Sequence, residues 1–241
     1  MIDLQTNLAH VKGRIAAAAT RVGRDPDEIT LVAVTKTFAP EIIQGAWNAG
    51  LREFGENRLQ EAEPKITLLR EKGLDLNWHM VGHLQRNKVK KAIGLFDIIQ
   101  SVDSVRLARE ISRRCRAKGT SMPMLLEVNV SGESSKYGFR VQEANSEQED
   151  QFLDAVEQMA ELPHLDVQGL MTMAPLDAPE EVLRSCFRSL RTLFEKLKED
   201  FPELKWRHLS MGMTDDFEVA IEEGATMIRV GRAIFGERKH R

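Results

Sequence analysis

The chain has 241 residues, a net charge of −3, 42% apolar and 29% charged residues, which describes a globular protein with a real core and gives no reason to expect nucleic acid or an anionic membrane as partner. Cys115 and Cys186 are the only cysteines and both fall in helical patterns, so no disulfide framework is expected. No apolar run approaches the ~20 residues of a membrane span, and Asp3, His10, Lys12 and Arg14 interrupt what a signal peptide would need as an apolar start, so a cytoplasmic location is expected.

Leu4, Leu8, Val11, Ile15, Ala18 and Val22 recur at three- and four-residue steps, which predicts a helix over 3–22. Residues 30–34 (TLVAV) form a compact β-rich run suited to a strand buried on both faces. Pro40 fits the first turn of the next helix. Further strands are predicted at 53–55, 78–82, 97–102, 124–130, 167–172, 207–211 and 227–230, with helices near 57–72, 86–94, 104–118, 147–161, 179–200 and 214–223. The last long helix carries Val182, Cys186, Leu190, Leu193 and Leu197 on one face. Residues 131–148 are polar enough to be a long loop.

Strand–helix alternation implies parallel pairing through right-handed crossovers. Eight such strands favour closure into a single (β/α)8 TIM barrel, typically ~250 residues, over an open sheet. Little chain follows the eighth strand, so the N-terminal helix is expected to close the outer ring. One domain over residues 1–241 is expected.

In a β/α barrel, functional residues gather at the C-terminal face, where strands end. Lys36 lies two residues past the first strand, at that rim. Burial or nearby cations lower a lysine's pKa, and the neutral amine can then form an imine with an aldehyde; position alone would equally suit a solvated loop lysine. The run His208-Leu209-Ser210-Met211-Gly212-Met213-Thr214-Asp215-Asp216 leads from strand seven into a helix. Ser210 and Thr214 offer hydroxyls, Gly212 allows close backbone approach, and a helix start offers free N–H groups. Strand eight ends in Arg229-Val230-Gly231, and an arginine–phosphate contact contributes roughly 1.5–3 kcal/mol. The bland alternative is that Thr214 caps a helix and Arg229 pairs with an acid. Closure puts strand eight beside strand one, so an amine and an anion cradle become neighbours. A small ligand with an aldehyde and a phosphate, such as pyridoxal 5′-phosphate, would satisfy both.

VAVTKTF, FGENRLQE, WHMVGHLQRNKVK, SSKYGF, GLMTMAP, LSMGMTDDFEVAI and RVGRAIFG, in this order and over nearly the whole chain, resemble the segments of the pyridoxal phosphate homeostasis protein family. The resemblance implies a fold-type III barrel shared with alanine racemase, with pyridoxal 5′-phosphate covalent on Lys36. It implies cofactor-binding positions at Ser210, Met211, Gly212, Thr214, Arg229 and Gly231, and places Asn57 near the cofactor ring. Thr214 stands where the family more often has serine, Arg232 where threonine is frequent, and Arg86 where serine is common.

Other candidates read more simply. His79 and His83 have a spacing that binds zinc on a helix, but on a strand it separates them by ~13 Å, and no metal site is expected. Lys136 and Tyr137 follow strand five; they suit acid/base equipment or a solvated loop equally. The basic runs at 88–91 and 113–118 read as solvated helix faces. Asp215 and Asp216 read as capping and dipole residues.

Two functions compete: a carrier that holds the cofactor and passes it transiently to apo-enzymes, and a racemase or decarboxylase using it. The barrel racemases that this chain resembles add a C-terminal β-domain with a second catalytic group, whereas this sequence ends a few residues past Gly236. Racemisation needs an acid/base on each face of the substrate. The carrier is therefore expected, with no catalytic residue assigned, as a monomer.

Overall fold

The computed structural model describes residues 3–142 and 145–237. Its elements run α1 (Leu4–Arg21), β1 (Thr30–Val34), α2 (Pro40–Asn48), β2 (Glu53–Glu56), α3 (Leu59–Glu71), β3 (Asn77–Met80), α4 (Val89–Ala92), β4 (Ile98–Val102) and α5 (Val105–Lys118). They continue with β5 (Met122–Asn129), β6 (Phe139–Arg140), α6 (Ser146–Ala160), β7 (Leu165–Met171), α7 (Glu180–Asp200), β8 (His208–Ser210), α8 (Phe217–Glu222), β9 (Met227–Val230) and α9 (Arg232–Phe235). Every strand pairing is parallel, and the pairing of β4 with β5 closes the ring β1-β2-β3-β4-β5-β7-β8-β9. The eight-stranded barrel expected from the alternation is present.

Strand alternation divides the interior in two. Ala33, Phe54, Trp78, Ile99, Leu126, Leu170, Leu209 and Ile228 join the main hydrophobic core between sheet and helices. Inside the ring, Ile98, Leu125 and Met171 form a small separate cluster. The remaining lumen is unusually polar, with Gln100, Glu127, Ser210 and Arg229 all buried.

The N-terminal helix closes the outer ring as expected. Asp3 caps α1 by accepting from the Thr6 N–H at 3.0 Å. Asn7 Nδ2 donates to Ile234 O at 2.9 Å, while Arg14 pairs with Glu218 at 2.9 Å and Arg21 with Glu222 at 2.7 Å. These contacts join α1 to α9 and α8. On its other flank, Leu4 packs close to Gly45 of α2.

Three local features differ from expectation. Residues 131–148 are not all loop: β6 adds to β5 outside the ring, and α6 begins inside that range, capped by Asn145. The helix expected from 86 splits into a 3-10 turn over Arg86–Lys88 and the short α4. The helix expected from 214 starts at Phe217, because Gly212 at φ +94° and the Met213 N–H bonded to Asp216 Oδ1 at 2.5 Å form a turn first. Thr214 lies in that turn and is not the helix cap.

Candidate functional site

The rim at β1 is held rigidly. The Thr35 N–H donates to Gly55 O at 2.9 Å, and its hydroxyl donates to Glu56 Oε1 at 2.7 Å. Lys65 Nζ, from α3, donates to Glu56 Oε1 at 2.8 Å and to Thr35 O at 2.9 Å. Thr35 therefore faces the helices, Val32 and Val34 alternate with it toward the lumen, and Lys36 follows in the turn after β1. Thr37 follows at φ +69°, a left-handed conformation that costs a β-branched residue roughly 1–2 kcal/mol.

β9 runs beside β1 with Val32 opposite Arg229 and Ala33 opposite Val230. One step further, a side-chain carbon at Gly231 would lie 3.3 Å from Val34 O, a tight contact that would push the two strand ends slightly apart. α9 begins at Arg232 on the same rim, and its Ile234 and Phe235 N–H groups both donate to Gly231 O at 3.0 Å. On the adjoining loop, a side-chain carbon at Gly212 would fall 2.6 Å from Ala220 Cβ, and Gly212 O accepts from the Arg229 N–H at 3.0 Å. Met211 packs in the outer core, leaving only its backbone for the mouth. Arg232 pairs with Asp215, which ties α9 to the loop after β8.

Below this rim, Arg229 Nη1 donates to Ser210 Oγ and Nη2 donates to Thr172 O, both at 2.7 Å. Burial lowers its pKa to about 10, opposed by Asp216 and Glu127, so the guanidinium stays charged at neutral pH. Ser210 and Arg229 are thus brought together, but they bond each other one level beneath Gly231. Asn57 is half-buried at the end of β2, its backbone so close to Gly82 that a side-chain carbon there would sit 2.3 Å from Asn57 O. It lines a cavity of about 450 Å³ with Arg58, His83, Gln85 and Lys88.

Glu127 was missed from the sequence, although a single charge inside the apolar run Met124-Leu125-Leu126-Glu127-Val128 was the available signal. It projects from β5, the strand across the ring from β1. Its Oε2 is buried with no hydrogen-bond partner. Burial, then Asp103, raises its pKa to about 7 while Arg229 pulls it down.

Lys136 Nζ donates to Glu133 Oε1 at 2.7 Å, Ser131 Oγ at 3.2 Å and Met173 O at 3.1 Å. The Tyr137 ring stacks on His83 at 4.0 Å between centroids, and His83 Nδ1 meets Asp103 at 3.0 Å. His79 bonds Glu53 and Gln100, both at 2.7 Å. Among the described residues no group of three or more His, Cys, Asp or Glu could hold a metal ion, and no helix is long and apolar enough to cross a membrane.

A lysine, two glycine-lined backbone segments, a buried cation and an orphaned carboxyl oxygen converge on one mouth. This donor set suits a small ligand that carries a carbonyl and a phosphate.

The family model for the alanine racemase N-terminal domain matches residues 6–239. The pyridoxal phosphate homeostasis protein of Aquifex aeolicus is 43% identical over 97% of both chains. That of Escherichia coli K12 is 41% identical over 100% of this chain and 99% of its own. PipY of Synechococcus elongatus, solved with PLP bound, superposes with a TM-score of 0.79 at 35% identity, covering 92% of this chain and all of PipY. Clostridium difficile alanine racemase shares the fold at a TM-score of 0.73 and 15% identity, this chain spanning 57% of it. Barrel, rim and full-length similarity agree, and the chain belongs to the alanine racemase N-terminal domain family and, within it, to the pyridoxal phosphate homeostasis proteins.

Proposed function

We propose that this protein binds pyridoxal 5′-phosphate covalently through Lys36 and holds it in reserve for apo-enzymes that need it. The observation supporting this reading is the parallel pairing of β1 with β9, whose strand ends bring Val34, two residues before Lys36, against Gly231. The phosphate would be met by backbone N–H groups at Gly212 and Gly231 and by the Thr214 hydroxyl, with Arg229 and Ser210 beneath and Asn57 toward the ring; the Met211 N–H is already donated to Met227 O at 3.1 Å. When bound, the cofactor supplies a carbonyl that takes amines and a pyridine ring that withdraws electrons. Lys36 provides the attachment, and the glycine segments and Arg229 retain the anion. No residue is assigned a catalytic role. Both thiols, Cys115 and Cys186, are free and buried, which accords with a cytoplasmic location. Transfer to acceptors would be transient and the carrier monomeric.

Protein loaded with pyridoxal 5′-phosphate is expected to absorb in the visible and, after borohydride reduction, to carry the cofactor mass on the Lys36 peptide. Lys36→Ala should lose that adduct while keeping its fold. An unmodified Lys36 peptide from loaded protein overturns the attachment. Incubation with amino acids and with an apo-enzyme acceptor separates carrier from enzyme: turnover of ~1–1000 per second on any amino acid defeats the carrier.

A further inference from the structure

A hydrogen-bonded chain crosses the lumen from Arg229 to the opposite end of the barrel. Arg229 Nη1 donates to Ser210 Oγ at 2.7 Å, and Ser210 Oγ donates to Gln100 Oε1 at 2.6 Å. Gln100 Nε2 meets His79 Nδ1 at 2.7 Å, and His79 Nε2 meets Glu53 Oε2 at 2.7 Å. Its ends fix its direction. A guanidinium can only donate, and the Ser210 hydroxyl that accepts from it donates in turn to Gln100 Oε1. Gln100 then presents its amide N–H to His79 Nδ1, and His79 carries its proton on Nε2, facing Glu53. Burial raises the Glu53 pKa, but hydrogen bonds from His79 and Asn77 outweigh it and hold the carboxyl below its usual range. The far end is therefore an anion.

Arg229 is 4% exposed, and among the described residues it has no salt bridge. A buried cation without a direct partner is costly, and barrel layers at this depth ordinarily hold Val, Ile and Leu. We infer that Glu53, His79 and Gln100 are positioning residues: through Ser210 they hold Arg229 oriented beneath the ligand, coupling the cofactor mouth to a carboxylate at the N-terminal end of the barrel. Each bond in such a one-way chain polarises the next, so the Glu53 charge is felt at Ser210 Oγ. This inference rests on the proposed placement of pyridoxal phosphate above Arg229.

The test measures pyridoxal phosphate affinity and the absorption band of the bound form in the full chain. Glu53→Gln keeps a hydrogen-bond acceptor, removes the charge and lies too far from the mouth to touch the ligand. Gln100→Leu and His79→Leu break the chain, whereas His79→Gln can accept from Gln100 and donate to Glu53. The two leucine variants should bind about 10-fold more weakly with a shifted band, Glu53→Gln should shift in the same direction by less, and His79→Gln should stay near wild type. Unchanged affinity and band in Glu53→Gln and in folded leucine variants overturn the coupling. Imidazole nitrogen NMR of the cofactor-free protein gives a second decision: His79 is expected to carry a proton on Nε2 toward Glu53 and to accept at Nδ1 from Gln100, and a proton on Nδ1 overturns the chain. If the wild type binds no pyridoxal phosphate, the functional reading fails on its own, and the NMR result still decides the chain.

Discussion

Single residues set the chemistry through where their charges are buried. Glu127 would ionise near 4.5 in the unfolded chain, but the fold raises its pKa to about 7. The native state holds the extra proton between those values, so this residue favours folding at low pH and the contribution is lost as pH rises through about 7. Glu127→Gln stays neutral throughout. At pH 8 it should be more stable than wild type by roughly 2–3 kcal/mol in denaturant unfolding, with the gap closing near pH ~4; equal stability at pH 8 contradicts the burial argument. Lys36, Gly212, Thr214 and Gly231 could be nominated from sequence because rim position and glycine placement are local signals. The pairing of Arg229 with Ser210 could not, since the guanidinium reaches over one strand to the end of another. Nor could the roles of Gln100 and His79, whose hydrogen bonds join four different strands.

Among elements, α3 anchors the rim after β1. Lys65 projects from it into a buried ion pair with Glu56 at 2.8 Å, side chains 10% and 0% exposed, and also bonds Thr35 O, one residue before Lys36. Removing one member of such a pair leaves an uncompensated buried charge, at a cost of about 3–5 kcal/mol. Lys65→Met should be destabilised by that amount in urea unfolding and should react more slowly at Lys36 with pyridoxal phosphate, because the Thr35 carbonyl loses its anchor. A loss below ~1 kcal/mol would show the pair behaving as a solvent-exposed one. Most elements were legible from apolar periodicity, but their ends were not. α8 starts later than its pattern suggests because of the Gly212 turn, and β6 is set by pairing to β5, which a two-residue segment cannot announce.

For the whole molecule, closure is the decisive event. α1 covers α8 and α9 with Leu8, Val11, Ile15, Ala18 and Ala19 buried, and its polar contacts bridge more than 200 residues of sequence to Glu218, Glu222 and Ile234. A chain starting after residue 22 should lose cooperative thermal unfolding and bind hydrophobic dyes, as Phe235, Ile221 and Ala220 lose cover; a sharp transition near that of the full chain would show that the ring is complete without α1. The alternation of apolar runs sufficed by itself to determine eight parallel strands closing into a barrel, since periodicity and strand order are properties of the chain read in line. Only the tertiary structure decided that Arg229 is satisfied from within the lumen, that Glu127 is left with an unpaired oxygen, and that a chain of hydrogen bonds ends at Glu53. Those facts depend on which inward-facing side chains meet across a closed ring, and the linear sequence carries no term for that meeting.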